Sequence, residues 1–318
     1  MIRMSQLAGM AFALVAGVAW AGGSATMADY AMQAEQVAPG VYAVVTPAKD
    51  FPNAENKGWN SNSVFVVTAD GVLVFDTGSS ETIGRALRQT IAKVTDKPIR
   101  WVINSHGHGD HWLGNGAFSG KGVEIISSEV VQARIRKEGP EWVERFRRMT
   151  DGATGDSAVV VPNQPVARPL ARAFGGVKVE VLFSGDSHSP GDIVFWLPEQ
   201  RVLLTGDVMY TGRAPATFDA NIKQWARFLA QLEALHPAVV VPGHGPVGKV
   251  QDVVHLREYF ETLWQAVSEG YEQGQADFEM RAPVLARMHR FESIYPGLDE
   301  RLGESISHVY LQVEAGSF

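Results

Sequence analysis

The chain has 318 residues, 45% of them hydrophobic, with 28 basic against 35 acidic residues and a formal charge of −7. That is an ordinary globular composition with enough apolar material for a large core, and no run of Lys or Arg exceeds two residues, which excludes the basic stripe of a nucleic-acid binder. Cysteine is absent, so disulfides, thiolate ligands and a lipid-modified cysteine are excluded together, and a transition-metal site must be built from imidazole and carboxylate, a set that suits Zn and tolerates Fe or Mn.

At the amino terminus Arg3 precedes an apolar run from Leu7 to Ala21. A basic start, an apolar stretch and small residues at Ala19–Ala21 or Thr26–Ala28 read as a secretory signal peptide over residues 1–28. The run is short and rich in Ala and Gly for a membrane span. The reading places the mature protein in a periplasm or outside the cell, without a stable membrane anchor; an uncleaved anchor is the alternative.

From Val41 short β runs alternate with turn signals. Val41 to Val45 is one, and Ser63 to Thr68 and Val72 to Phe75 form a hairpin across Ala69-Asp70-Gly71. Glu81 to Val94 carries apolar residues at Ile83, Ala86, Leu87, Ile91 and Val94, a helical spacing behind Ser79 or Ser80 as N-cap. Ile99 to Asn104 and Val123 to Ile126 read as strands, Glu129 to Arg148 as a helix interrupted near Gly139-Pro140, and Asp151 to Gly176 as a loop-like insertion. Strands follow at Val177 to Phe183, Ile193 to Leu197 and Val202 to Leu204, then a helix at Ile222 to Leu235 and a buried strand at Ala238 to Val241. From Val250 the chain reads as helical, with breaks at Pro283 and Pro296-Gly297. Two stretches of strands, each followed by helices, predict a four-layer αββα sandwich of two mixed sheets, with the catalytic domain over 29–250 and residues 251–318 as a helical extension packed on it.

The histidines carry the chemistry. Five of the nine sit beside Gly, Asp or Pro at strand ends. After the apolar strand Trp101-Val102-Ile103-Asn104, His106, His108, Asp110 and His111 crowd into six residues with Gly107 and Gly109 between them. Glycines in such a loop accept backbone angles that let side chains fold back on one centre. One loop cannot supply a full ligand set, and three more candidates follow apolar strands with glycine close by: His188, Asp207 and His244.

This order of residues resembles the metallo-β-lactamase superfamily, which carries a His-x-His-x-Asp-His motif followed by His, Asp and His; the resemblance runs from about Val37 to about Lys249. It implies two Zn2+ per chain, with His106, His108 and His188 on the first, Asp110, His111 and His244 on the second, and Asp207 between them. Asp76, in Val74-Phe75-Asp76-Thr77-Gly78, resembles a strand-end Asp that is structural in the family. The β-lactamase branches place Cys or Ser at the Asp207 position, so Asp207 resembles instead the glyoxalase-II-like thioesterases, lactonases and related hydrolases. Gly58 to Ser63, Val94 to Pro98 and Leu113 to Phe118 resemble exported SoxH-like proteins and quinoprotein relay zinc metallohydrolases.

Two divalent ions lower the pKa of a shared water and polarise a bound carbonyl. The expected reaction is hydrolysis of a small-molecule ester, thioester, lactone or similar carbonyl compound by a metal-bridging hydroxide, with Asp110 handling the proton. Tyr210 matches the spacing of a carbonyl-polarising Tyr in homoserine lactonase relatives; a packed aromatic at a strand end is the other reading. Trp59, Asn62 and Trp112 are candidate substrate contacts, with Asn60 in the same polar loop, and Arg213 and Arg172 candidate anion contacts. A persulfide-dioxygenase-type enzyme with one iron on His106, His188 and Asp207, a β-lactamase and a non-catalytic metal-binding scaffold are the rival readings. A monomer or homodimer is expected, and His236, His255, His289 and His308 are read as capping, surface or core residues.

Overall fold

The computed structural model describes residues 24–316. The apolar run of the expected signal peptide lies outside them. Two sheets face each other, and each strand's alternation explains why. In β3 (Ser63–Val67) and β4 (Val72–Phe75) the residues Val64, Val66, Leu73 and Phe75 point into the space between the sheets, while Phe65, Val72 and Val74 point outward under α1 (Glu81–Ala92). A strand buried on both faces is apolar throughout, as these are.

The larger sheet has seven strands in chain order: β1 (Glu35–Ala38), β2 (Val41–Val44), β3, β4, β5 (Ile99–Ile103), β6 (Glu124–Ser128) and β7 (Gln164–Val166). Pairing is antiparallel up to β4 and parallel from β4 to β7. The three parallel steps require crossovers, supplied by α1, by the short helix α2 (Gly109–Trp112) with the 3-10 turn after it, and by α3 (Glu129–Met149). The smaller sheet runs β12 (Val239–His244), β11 (Val202–Tyr210), β10 (Pro190–Leu197), β9 (Val177–Asp186), β8 (Leu170–Phe174). Between the sheets Phe75, Trp101 and Ile103 meet Phe174, Phe195, Leu204 and Val241. Outside the smaller sheet, α4 (Ile222–Ala234), α5 (Val250–Glu272), α6 (Arg281–Met288) and α7 (Leu298–Ala315) share an apolar cluster with Val194, Trp196, Leu203 and Val240. The arrangement is the expected αββα sandwich.

Ser80, rather than Ser79, caps α1: its side chain accepts from the Ile83 N–H. Three expectations are corrected. Helix α3 runs unbroken through Gly139-Pro140; a Cβ on Gly139 would meet Val159 Cγ1 at 2.7 Å and the Trp112 ring at 3.2 Å, so the glycine serves a close helix contact rather than a break. The insertion 151–176 holds strands β7 and β8, each at the edge of its sheet. The helix break expected at Pro283 falls earlier, at 273–280, because proline sits in the first turn of α6, where no intrahelical N–H is needed.

Candidate metal centre

The strand ends of both sheets converge on one rim. His106 follows β5, and Asp110 and His111 lie on the short helix α2 (Gly109–Trp112) with His108 at its N-cap. His188 occupies the β9–β10 turn; Asp207 and His244 lie within β11 and β12 rather than beyond them. The sheet continues past Leu204 through an irregular register at Gly206, whose φ of +51° aims Asp207 into the rim.

Gly109 is required for a reason other than the one its sequence position suggests. Its φ is not positive; a Cβ there would meet Leu113 Cδ1 at 2.9 Å and the Phe146 ring at 3.0 Å, so the loop needs a bare backbone under α3. Gly107 meets only ordinary contacts with Arg134. Gly243 bears directly on a ligand, since a Cβ would lie 2.0 Å from Asp207 Oδ1.

The seven side chains fall into two buried groups, His106, His108, His188 and Asp207 in one and Asp110, His111 and His244 in the other, each with ligand atoms within 4.8 Å of one another. Asp207 joins them. Its Oδ2 is 3.5 Å from His188 Nε2, 3.9 Å from His106 Nε2 and 3.1 Å from His244 Nε2, and its Oδ1 is 3.1 Å from His111 Nε2.

Outer contacts fix which nitrogen faces inward. His111 Nδ1 donates to Asp76 Oδ2 at 2.7 Å, and His244 Nδ1 donates to the Asn60 carbonyl at 2.7 Å. Because Ser105 Oγ already donates to Asp76 Oδ2 at 2.7 Å, His106 Nδ1 must donate to Ser105 Oγ. His108 is turned the other way, with Nε2 3.3 Å from Asp219 Oδ2 and Nδ1 2.9 Å from His188 Nε2. Arg134 in turn holds Asp219 at 2.8 Å. Carboxylate and carbonyl partners of this kind orient imidazole ligands and set their tautomer. Asp192 accepts from the His188 and Ser189 N–H groups, each at 2.8 Å, fixing the turn that carries His188; burial pushes its carboxyl up to about 7.

Two of the rings are held in the form that binds metal. Burial, with His111 nearby, pushes His106 well below its ordinary pKa, and burial brings His188 down to about 3, so both rings are neutral and can ligate. Burial opposes charge on His111, yet Asp207, Asp110 and Asp76 hold its pKa well above normal. Burial likewise opposes ionisation of Asp207, but His244 and His111 keep it well below the carboxylate range. Inside this cluster His106 Nε2 is buried without a hydrogen-bond partner, and His111 Nε2 and Asp207 Oδ1 face only each other, at 3.1 Å. Unsatisfied buried atoms are costly, and converged lone pairs around carboxylates are what a cation satisfies. The residues present therefore fit divalent metal.

Beside the two groups opens a cleft. His108, Asp110, His188, Asp207, Tyr210 and His244 form its floor, and Phe51, Pro52, Trp142, Phe146, Met149 and Phe218 give it apolar walls. Arg213 lines it, buried, and Arg145 stands at the rim over the Trp142 ring at 5.0 Å. Asp110 faces the cleft with Oδ2 accepting from Asn60 Nδ2 at 2.8 Å. Tyr210 donates its hydroxyl to Asp207 Oδ2 at 2.5 Å and stacks on His244.

The expected substrate contacts are displaced from this cleft. Trp112 is fully buried and donates Nε1–H to the Gly107 carbonyl at 3.0 Å, because its ring is needed under α3. Asn62 is a buried tether, accepting from the Thr46 N–H and donating to the Pro242 and Gly245 carbonyls. Trp59 packs edge-on to Tyr30 and lines a separate depression with Asp29 and Lys57. Arg172 pairs with Glu124 at 2.7 Å, away from the site. The walls that sequence reasoning missed come from a loop, a helix and the segment after β11, with no shared motif; Asp219 carries no signal beyond its position in that segment. Of the other histidines, His289 pairs with Glu292 at the surface and His308 lies near Thr217 Oγ1 at 3.1 Å, while His236 and His255 belong to neither ligand group.

A two-sheet sandwich with paired His/Asp groups at one rim defines a metal-dependent hydrolase. The chain belongs to the metallo-beta-lactamase superfamily, whose model matches residues 56–244. It is 24% identical over 201 residues to metallo-beta-lactamase IND-1 of Chryseobacterium indologenes, covering 62% of this chain and 76% of that one. It is 27% identical over 229 residues to a linear primary-alkylsulfatase of a Pseudomonas species, covering 59% of this chain and 42% of the relative. In fold it is similar to a metallo-beta-lactamase from Pontibacter korlensis, with TM-score 0.60, 22% identity and coverage of 72% and 99%. It is also similar to the inverting sec-alkylsulfatase Pisa1 from a Pseudomonas species, with TM-score 0.68, 19% identity and coverage of 88% and 50%.

Proposed function

We propose that the chain is a two-zinc hydrolase of ester, thioester, lactone or related carbonyl substrates, working in a periplasm or outside the cell. The observation that carries the reading is Asp207, whose carboxylate lies against both ligand groups, Oδ1 toward His111 and Oδ2 toward His244 on one side and His188 and His106 on the other. Two divalent ions held there would supply an activated water and polarise the scissile group. His106, His108 and His188 would hold one, Asp110, His111 and His244 the other, with Asp207 common to both. Asp110 takes the role of proton carrier: Asn60 fixes its Oδ2 while the carboxylate faces the cleft. The apolar walls bind the substrate's hydrocarbon part and shed water from it. Export rests on the apolar run after Arg3 and on the likeness of the amino-terminal half to exported SoxH-like proteins.

A second reading, cleavage of alkyl sulfate esters, is favoured by the extent of structural likeness: the alkylsulfatase Pisa1 match covers 88% of this chain against 72% for the metallo-beta-lactamase. The carboxylate at 207 is the reason a β-lactam is not placed first. The deciding experiment is hydrolysis of a panel of esters, thioesters, lactones, β-lactams and alkyl sulfates by protein of measured metal content. About two zinc per chain and turnover of a carbonyl ester or lactone is the expected result. One iron with oxygen uptake, or turnover confined to sulfate esters or β-lactams, overturns the leading reading.

A further inference from the structure

We propose that the cleft contains an oxyanion-binding subsite formed by Arg213 and Arg301 around Phe51, so that the substrate carries a carboxylate or sulfate group besides an apolar part. The proposal deepens the hydrolase reading by naming the substrate class, and it rests on that reading for the site it serves.

Arg213 is buried at 5% exposure, yet among the described residues it forms no ion pair; its Nη1 lies 3.4 Å from His244 Nδ1 and its Nε has no hydrogen-bond partner there. A guanidinium is always charged, and a buried one is ordinarily paired with a carboxylate or phosphate. Arg301, near the start of α7, also lacks an ion pair among the described residues. The two guanidinium carbons stand 5.6 Å and 4.2 Å from the centroid of the same ring, Phe51. Burial, and then the neighbouring Arg213, push Arg301 below its ordinary pKa. Two cations without an ion pair on one aromatic ring repel each other, with Glu304 offsetting part of the charge on Arg301, and an anion held by both removes the repulsion and supplies the missing acceptors. The protein as a whole is acidic at −7, so this positive corner is local.

The position selects the ligand. Arg213 and Phe51 line the cleft whose floor is the metal centre, and Pro52 and Phe218 continue it as apolar wall. A molecule reaching the floor with its reacting group would set an anionic substituent against the guanidinium pair. Arg301 belongs to the carboxyl-terminal helices, beyond residues 56–244 matched by the family model, so the extension would contribute directly to specificity.

The test measures equilibrium binding to the zinc-loaded protein of octanoate, octyl sulfate and neutral octan-1-ol by calorimetry, in the wild type and in Arg301→Gln and Arg213→Gln, with zinc content determined for each. At least one anion should bind more tightly than octan-1-ol, and each substitution should weaken that anion about tenfold or more while octanol affinity and zinc content hold. Preference for octanoate or for octyl sulfate tells a carboxylate substrate from a sulfate one. Arg301 is half-buried, so its variant keeps the test alive if Arg213→Gln misfolds. Anion affinity unchanged in Arg301→Gln overturns the proposal, since the anion would then be held without that guanidinium. The readout is binding, so a failed hydrolysis panel alongside guanidinium-dependent anion binding would sink the reaction assignment and spare the subsite.

Discussion

Asp76 Oδ2 accepts a hydrogen bond from His111 Nδ1 at 2.7 Å while Asp76 itself sits at φ +59°, a conformation an L-residue adopts only when its surroundings hold it there. The Ser105 N–H and Ser105 Oγ hold the same carboxylate at 2.8 and 2.7 Å. One acidic side chain thus fixes His111 directly and His106 through Ser105, without facing the cleft. Asp76→Ala frees both rings. Metal affinity should fall by about 10- to 100-fold, the usual loss when an outer partner of a ligand is removed, as measured by competition with a chromophoric chelator.

Gly243 admits no side chain. A Cβ would lie 2.0 Å from Asp207 Oδ1 and 2.8 Å from the Gly206 carbonyl carbon, so either the carboxylate or the β11 backbone must move. Gly243→Ala should displace Asp207 and lower metal content below that of the wild type under identical loading, with destabilisation on the order of 1–3 kcal/mol from overpacking. Elemental analysis and urea unfolding read the two effects. Wild-type metal content in this variant would show that Asp207 does not join the two groups.

The ligand set was legible because its members stand at or near the ends of apolar strands in glycine-containing loops, and strand ends on one rim must converge. Asp76 was legible as a structural residue only through its resemblance to the family's strand-end Asp. What was not legible has two physical causes. Strands β1, β7 and β8 are all sheet edges with mostly exposed or half-buried side chains, so they lack the apolar alternation that reveals a strand. The cleft walls Phe51, Trp142 and Phe218 come from segments far apart in the chain, where an aromatic signals burial as readily as contact. Trp112 shows the converse: beside the metal motif in sequence, it points into the interior.

Removing metal should cost stability as well as activity. His106 Nε2 has no hydrogen-bond partner, and His111 Nε2 and Asp207 Oδ1, 3.1 Å apart, have only each other. A ligand bound only by the folded state stabilises it by about 2.7 kcal/mol at a hundredfold excess over its Kd. Urea midpoints measured with excess zinc and after chelation should differ accordingly, and equal midpoints would mean that the folded state gains nothing from metal.

Tyr210 was expected to touch substrate, and its ring does line the cleft, but its hydroxyl already donates to Asp207 Oδ2 at 2.5 Å. Burial, and next the charge on Asp207, push the Tyr210 pKa well above its ordinary value. The proton therefore stays on the phenol and serves the carboxylate that joins the two ligand groups. Tyr210→Phe keeps the ring that stacks on His244 and removes only this bond. A hydrogen bond to a charged group is worth roughly 1.5–3 kcal/mol, so metal affinity should fall about tenfold or more, with kcat recovering as free metal is raised. Loss of kcat at full metal occupancy, with affinity untouched, would instead assign the hydroxyl to the substrate. Running both measurements on one variant separates a residue that positions Asp207 from one that polarises a carbonyl.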